Sequence, residues 1–151
     1  MAVIQDMAAL AVRASGPEPV GLDACQTWAL LAQRRAAWSA VMGGPGDVVG
    51  LRLGDGFEFA AALLGAWNAG VTVVLPGDAT PLTLAALRSR TQRIFIGDEA
   101  VPSTPSAPAP VRPRSTMPDV PVVVFTSGST GDPVAIPKTL RCIQNELHAL
   151  E

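Results

Sequence analysis

Residues 122–133 read Val-Val-Val-Phe-Thr-Ser-Gly-Ser-Thr-Gly-Asp-Pro, and this stretch is the most informative part of the chain. Four apolar residues typical of a buried strand run directly into six residues that are only Thr, Ser or Gly. Small residues let the backbone turn its N–H groups toward an anion, and the hydroxyl groups add donors for phosphate oxygens. The pattern predicts a strand that leads into a phosphate-binding loop. An ordinary polar surface turn is the alternative.

This loop differs from the Walker A loop of common nucleotide-hydrolysing enzymes. That motif requires G-x-x-x-x-G-K-[ST], with both glycines at fixed positions. Lys138 and Thr139 match the end of the motif, but its glycine positions are occupied by Asp132 and Pro137. An ordinary P-loop enzyme is therefore not expected.

Upstream of the loop, short apolar runs alternate with segments of helical periodicity. A βαβαβ alternation of this kind predicts a parallel sheet covered by helices on both faces. Strands are predicted over residues 48–53, 71–75, 93–96 and 122–125. Helices are predicted over residues 1–13, 26–42, 57–68 and from 80–81 onward. Residues 134–137 are predicted to be extended, and Thr139 is predicted to cap a last helix over residues 140–150.

A proline-rich stretch divides the chain. Residues 100–121 hold seven of the fourteen prolines, so neither a helix nor a central strand is expected there. It is either a linker or a long ordered loop. The predicted organisation is an α/β scaffold over residues 1–99, the linker or loop over 100–121, and a strand, phosphate loop and helix over 122–151. The last part is interpreted as the beginning of a larger, incomplete domain.

Composition narrows the function classes. The 151 residues are 48% hydrophobic and 16% charged, with a net charge of -2, which does not indicate binding to nucleic acid or an anionic membrane. The N-terminus holds Asp6 and no basic segment, so a secretory signal is not predicted and a cytoplasmic location is expected. Cys25 and Cys142 are predicted to be small core residues, and the spacing of Cys and His fits no metal site.

Individual side chains outside the loop receive mostly structural interpretations. Asp55 and Asp78 are predicted to form turns, and His148 to be a surface or interface residue rather than a general base. Lys138 either reaches a phosphate beside the loop or is a solvated residue before a helix. The tryptophans are predicted to be core anchors: Trp28, Trp38 and Trp67.

The string from Phe125 to Pro133 resembles the phosphate-loop signature of the acyl-adenylate-forming superfamily. This superfamily includes acyl-CoA synthetases, aryl acid ligases, luciferases and nonribosomal adenylation domains. One departure is Val134, where many members carry lysine. A second stretch resembles the N-terminal part of these enzymes at eight positions of a helix and the strand after it: Phe59, Ala62, Gly65, Ala69, Gly70, Val71, Val73 and Val74. We expect the small residues at positions 62, 65, 66 and 69 to let this helix pack close to the sheet.

The resemblance covers most of residues 24–151 and implies the N-terminal part of an adenylate-forming fold, with three helix/sheet/helix layers and a mostly parallel sheet. It implies ATP as cofactor, with Mg²⁺ in the complete protein, and the loop as the holder of the β- and γ-phosphates and of departing pyrophosphate. The implied binding residues are Thr126, Ser127, Gly128, Ser129, Thr130, Gly131 and Lys138.

The expected function is that of an N-terminal portion of an ATP-dependent carboxylate ligase. Such a ligase forms acyl-AMP and pyrophosphate, and then an acyl thioester on CoA or a carrier protein. No catalytic or metal-binding residue is assigned within the 151 residues, so the chain alone is expected to be inactive. It is also expected to self-associate, through an unpaired sheet edge and an apolar face next to Val122–Phe125. The alternatives are a short non-catalytic binding or interaction module that keeps the scaffold, and an unrelated ATP-using transferase with a similar loop.

Overall fold

A computed structural model describes residues 25–103, 119, 121–126 and 134–149. The predicted helix over residues 1–13 lies outside this part of the chain. The elements are α1 (Trp28–Met42), β1 (Val48–Arg52), α2 (Gly56–Asn68), β2 (Thr72–Pro76), α3 (Pro81–Arg88), β3 (Arg93–Ile96), a 3-10 helix (Asp98–Ala100), β4 (Val122–Thr126), β5 (Val134–Lys138) and α4 (Leu140–His148).

Short polar side chains begin each α-helix. The Thr27 and Thr80 hydroxyl oxygens accept hydrogen bonds from the backbone three residues on, at the starts of α1 and α3. The Asp55 carboxylate caps α2 in the same way, and the Thr139 hydroxyl accepts from Cys142 N at 3.2 Å at the start of α4. These bonds satisfy N–H groups that have no partner within the helix. The predicted cap at Thr139 is confirmed.

The five strands form one sheet in the order β3-β1-β2-β4-β5. The first four strands are parallel, and β5 runs antiparallel to β4. The predicted extended piece over residues 134–137 is therefore a paired strand. The expected α/β fold with a mostly parallel sheet is confirmed.

Alternate side chains of the strands supply two apolar cores. On one face, Val49 and Val73 lie in the larger core with α1 and α2, where Trp38 and Trp67 are fully or almost fully buried. On the other face, Val74 and Phe125 pack with Leu87 of α3. Helices cover both faces of the sheet, which gives the three expected layers. The expectation that the tryptophans anchor the core is also confirmed, with Trp28 partly buried at its margin.

Gly65 packs against a helix rather than against the sheet. A Cβ atom at this position would lie 2.8 Å from Arg35 O and from Trp38 Cβ of α1, and 2.9 Å from Ser39 N. The expectation that Gly65 serves helix–sheet packing is therefore wrong. Ala62 and Ala66 of the same helix are fully buried in the larger core, which also contains Val49 and Val73 of the strands.

The α1–α2 contact also contains a polar network. Arg34 donates to both carboxylate oxygens of Glu58, at 2.7 and 3.0 Å. Trp38 Nε1 donates to the same carboxylate at 2.9 Å. The Arg34 side chain is 7% exposed and that of Glu58 19% exposed. Two-point pairing of this kind fixes the relative position of two helices.

The strand after the proline-rich stretch joins the same sheet as the strands before it. Pro121 O accepts hydrogen bonds from Val73 N at 3.0 Å and from Trp67 Nε1 at 3.2 Å, and β4 then pairs with β2. Most of residues 100–121 lie outside the described part of the chain. The division at residues 99 and 121 stays a prediction.

Cys25 and Cys142 are both exposed, so the expectation that they are core residues is wrong. Cys25 lies before the first residue of α1, and Cys142 is an exposed residue of α4. Helical periodicity was therefore not enough to predict whether these side chains are buried. Within the described residues, no helix is long and apolar enough to cross a membrane.

Candidate functional site at the carboxyl edge of the sheet

The carboxyl ends of the four parallel strands lie together along one side of the sheet, which is its carboxyl edge. Arg52, Pro76, Ile96 and Thr126 are the last residues of β1, β2, β3 and β4. Helices α2 and α3 follow β1 and β2 and pack on opposite faces. In open α/β sheets, ligands bind outside the carboxyl ends of the strands, where successive connections leave to opposite faces. This edge is therefore the candidate site.

The predicted phosphate loop is anchored at this edge. Residues 127–133 lie outside the described part of the chain, but their two flanking residues are in it. Thr126 ends β4 and pairs with Val134, the first residue of β5. The Thr126 hydroxyl donates to Val134 O at 3.5 Å. Of the predicted binding residues, Thr126 is thus placed at the candidate site.

The turn after β2 lies beside the beginning of this loop. Pro76 is in register with Phe125, so Gly77 follows next to Thr126. A Cβ atom on Gly77 would come within 3.0 Å of Phe125 O. Sequence reasoning missed Gly77, because only the strand order makes it a neighbour of β4.

Asp78 forms the turn that starts α3. Its carboxylate accepts from Thr80 N and from the Thr80 hydroxyl, each at 3.0 Å. A hydrogen bond from the Thr83 hydroxyl, together with those from Thr80, lowers the pKa of Asp78, and the charge of Arg52 lowers it further. The predicted turn role of Asp78 is confirmed. Arg52, which sequence reasoning did not single out, supplies a cationic group at this edge.

Lys138 lies at the other end of the β4–β5 pair. It is in register with Val122, four residue steps or roughly 13 Å of strand away from Thr126. Its ammonium group pairs with Glu146 of α4, which raises the pKa of Lys138 through the hydrogen bond and the carboxylate charge. The structure does not bring Lys138 together with Thr126.

Two polar groups of the described residues lie at this edge, the hydroxyl of Thr126 and the guanidinium of Arg52. Among the described residues, no group of three or more His, Cys, Asp or Glu side chains lies together as metal ligands would. The hydroxyl-rich composition of residues 126–130 fits an anionic ligand.

No protein-family model and no curated protein matches the chain. Solved structures do match it. The N-terminal subdomain of Klebsiella oxytoca NpsA in complex with 3-hydroxyanthranilyl-AMSN has a TM-score of 0.59 at 19% identity, over 76% of this chain and 34% of that chain. VinN with 3-methylaspartate has a TM-score of 0.57 at 20% identity, over 82% of this chain and 42% of that chain.

A third match is the O-succinylbenzoate coenzyme A synthetase MenE from Bacillus subtilis in complex with AMP. Its TM-score is 0.57 at 21% identity, over 75% of this chain and 36% of that chain. The matched region spans less than half of each of these three proteins. At such identities the likeness shows the fold alone, an α/β fold with a mostly parallel sheet, and function requires a separate argument.

Proposed function

We propose that this chain is the N-terminal portion of an ATP-dependent carboxylate ligase. One observation carries the proposal. The string Phe125–Pro133 connects β4 to β5 at the carboxyl edge of the sheet. The same fold occurs in a coenzyme A synthetase solved with AMP and with an acyl-adenylate. A hydroxyl- and glycine-rich loop at this edge suits the triphosphate of ATP.

In the proposed reaction a carboxylate oxygen of the acid bonds to the α-phosphorus of ATP, and the bond to the β-phosphate oxygen breaks. Pyrophosphate leaves, and acyl-AMP remains. A thiol of CoA or of a carrier protein then takes the acyl group, and AMP leaves. Loop donors that hold the β- and γ-phosphates stabilise the charge that develops on pyrophosphate.

We assign this role to Thr126, Ser127, Gly128, Ser129, Thr130 and Gly131. Lys138 is left out of the proposed phosphate site, because the strand register puts it at the opposite end of β4 and Glu146 pairs with it. Magnesium would accompany ATP in the complete protein and neutralise phosphate charge. The described residues offer no ligand cluster for it, and we derive no step through it.

The 151 residues alone are proposed to be inactive. The chain spans 34–42% of the three solved proteins described above. Contacts to adenine, ribose, the acid and the acceptor thiol are therefore proposed to come from further residues of a longer protein. Which acid is activated, and whether CoA or a carrier protein accepts it, would be set there.

A non-catalytic binding module that keeps the scaffold is the second candidate. Val134 favours it, because an apolar residue stands where lysine would add a charge to the loop. The two candidates differ in one activity. A ligase exchanges radioactive pyrophosphate into ATP only when its acid is present, whereas a binding module does not exchange at all.

The test uses the longest protein that carries this chain, assayed for pyrophosphate exchange with a panel of fatty, aryl and amino acids. We expect acid-dependent exchange with at least one class of acid. Exchange with none of them would remove the ligase proposal and leave the binding module.

The double substitution Ser127→Ala/Thr130→Ala tests the loop within that protein. Each lost hydroxyl removes one hydrogen bond to a charged phosphate oxygen, so the ATP KM should rise at least tenfold. Thr91→Ala is the matched control, because the Thr91 hydroxyl donates to Leu87 O near the C-terminal end of α3, and this variant should leave the KM unchanged. An unchanged KM in the double variant would mean that the loop is only a surface turn.

A further inference from the structure

We propose that the described segments on the two sides of the proline-rich stretch, residues 25–103 and residues 121–149, fold and unfold as one cooperative unit. Residues 100–121 then connect two parts of a single domain and do not separate two domains. The inference concerns the stability of the chain, so it does not depend on the proposed ligase function. It rests on three kinds of contact between the first segment and the second.

Backbone pairing joins the two segments inside the sheet. β4, from the second segment, lies between β2 and β5 in the strand order. Its residues Val122–Phe125 pair in parallel with Val73–Pro76 of β2. Val73 and Val74 are 0% and 3% exposed, so their backbone groups need hydrogen-bond partners inside the protein. Without the second segment, one side of β2 would lose these partners.

Pro121 joins the start of β4 to both β2 and α2. Its side chain is fully buried, and its carbonyl oxygen accepts hydrogen bonds from Val73 N at 3.0 Å and from Trp67 Nε1 at 3.2 Å. Trp67 is itself 2% exposed, so its indole N–H is shielded from water. A buried donor that loses its acceptor destabilises a fold. Separation of the second segment would leave Trp67 in this condition.

Both apolar cores contain side chains from both segments. In the larger core Val122 is 6% exposed, and Ile143 of α4 packs against the same cluster. In the second core the buried residues are Val74 and Leu87 from the first segment and Phe125 from the second, each at most 3% exposed. Since neither core is complete within the first segment, the two segments should gain their stability together.

Hydrogen–deuterium exchange of the 151-residue chain tests the proposal, with peptide masses read at increasing urea concentrations and at low micromolar protein to limit self-association. We expect the slowest amides of β1, β2 and β4 to open with the same free energy and the same urea dependence, because one global event exposes all three strands. Faster exchange of β4 with a weaker urea dependence would show that the second segment opens by itself, and would overturn the proposal.

Phe125→Ala tests the coupling from the second segment to the first. Loss of the buried ring should speed the exchange of the slowest amides about a hundredfold or more in β4, and to the same extent in β1 and β2. Val134→Ala is the matched control in the second segment. Because Val134 is 53% exposed, its truncation should change the exchange of each strand by less than about twofold.

Leu87→Ala tests the coupling in the opposite direction, since Leu87 is fully buried in α3 of the first segment. It should speed the exchange of β4 as much as that of β2. If Phe125→Ala is too unstable to purify, Phe125→Leu makes the same test with a smaller loss of volume. Faster exchange confined to the segment that carries the substitution would contradict a single cooperative unit.

Discussion

Val134 is the residue at which this chain departs from the resemblance. It is 53% exposed at the start of β5, directly opposite Thr126. A lysine could replace it without displacing packed atoms and would place an ammonium group beside the proposed phosphate site. Val134→Lys should lower the ATP KM in pyrophosphate exchange about fivefold, equivalent to about 1 kcal/mol for an exposed charge pair.

Val134→Gln controls for side-chain length and polarity without charge. It should leave the KM within twofold of the unsubstituted protein, and the gain of Val134→Lys should shrink as salt is added. A fivefold gain with both substitutions would show that loss of the apolar side chain, rather than a new charge, improves binding.

Glu58 joins α2 to α1 through three polar contacts. Its carboxylate accepts three hydrogen bonds, from two nitrogens of Arg34 and from Trp38 Nε1. Because the Arg34 side chain is almost fully buried, Glu58→Ala removes the charge that offsets a desolvated guanidinium. The free energy of unfolding in urea should fall by about 3 kcal/mol.

Glu146→Ala is the control variant for Glu58→Ala, because it removes a carboxylate from an exposed ion pair instead of a buried one. Glu146 pairs with Lys138, but its side chain is 61% exposed. Solvent already stabilises both charges, so this substitution should change the unfolding free energy far less than Glu58→Ala. Equal losses in the two variants would contradict the argument that burial sets the contribution of the pair.

At the scale of elements, α1 and α2 cross closely at Gly65. A Cβ atom there would meet two backbone atoms of α1 at 2.8 and 2.9 Å, and backbone cannot rotate away as a side chain can. Gly65→Ala should therefore force the helices apart. We expect a loss of about 2 kcal/mol in the free energy of unfolding, despite the better helix propensity of alanine.

Gly56→Ala in the same helix separates packing from propensity. A Cβ atom on Gly56 would have no neighbour within 4 Å, so this variant should be neutral or slightly more stable, by about 0.5 kcal/mol. Thermal or urea unfolding of the two variants side by side measures the difference. Similar stabilities would show that α1 and α2 can adjust to the added methyl group.

For the whole molecule, the edge strands of the described sheet are β3 and β5, and β4 lies inside it. The expectation of an unpaired edge next to Val122–Phe125 is wrong, because β5 pairs along all of β4. The exposed apolar side chains lie on β5, where Val134 is 53% and Ile136 40% exposed. We still propose that the isolated chain self-associates, now through β5.

Ile136→Lys tests this proposal by adding a charge to the edge. Light scattering at tens of micromolar should show a dimer or larger species for the unsubstituted chain and a smaller species for Ile136→Lys. Leu82→Lys is the control, because Leu82 is 60% exposed on α3, away from this edge. A monomeric unsubstituted chain, or equal effects of the two lysines, would contradict association through β5.

Local signals in the sequence were sufficient to predict most of the helices and strands. Thr80-Pro81 and Thr139 begin helices because a side-chain oxygen caps N–H groups only two or three residues away. Alternating and helical periodicities placed the strands and helices within about two residues of their observed ends. The candidate site could be predicted as a loop at the end of a strand for the same reason, since the string at residues 125–133 carries its chemistry in consecutive residues.

The sequence by itself thus determined the class of the fold, its elements and the chemical character of the loop, all of which depend on neighbours along the chain. Tertiary structure alone decided which strands and helices meet. Because β5 runs antiparallel to β4, Lys138 lies beside Val122, at the opposite end of β4 from Thr126. The strand order places Gly77 beside Phe125. Such contacts arise because both faces of the sheet must be covered by apolar side chains at the same time. Residues that are neighbours along the chain do not specify how this is achieved.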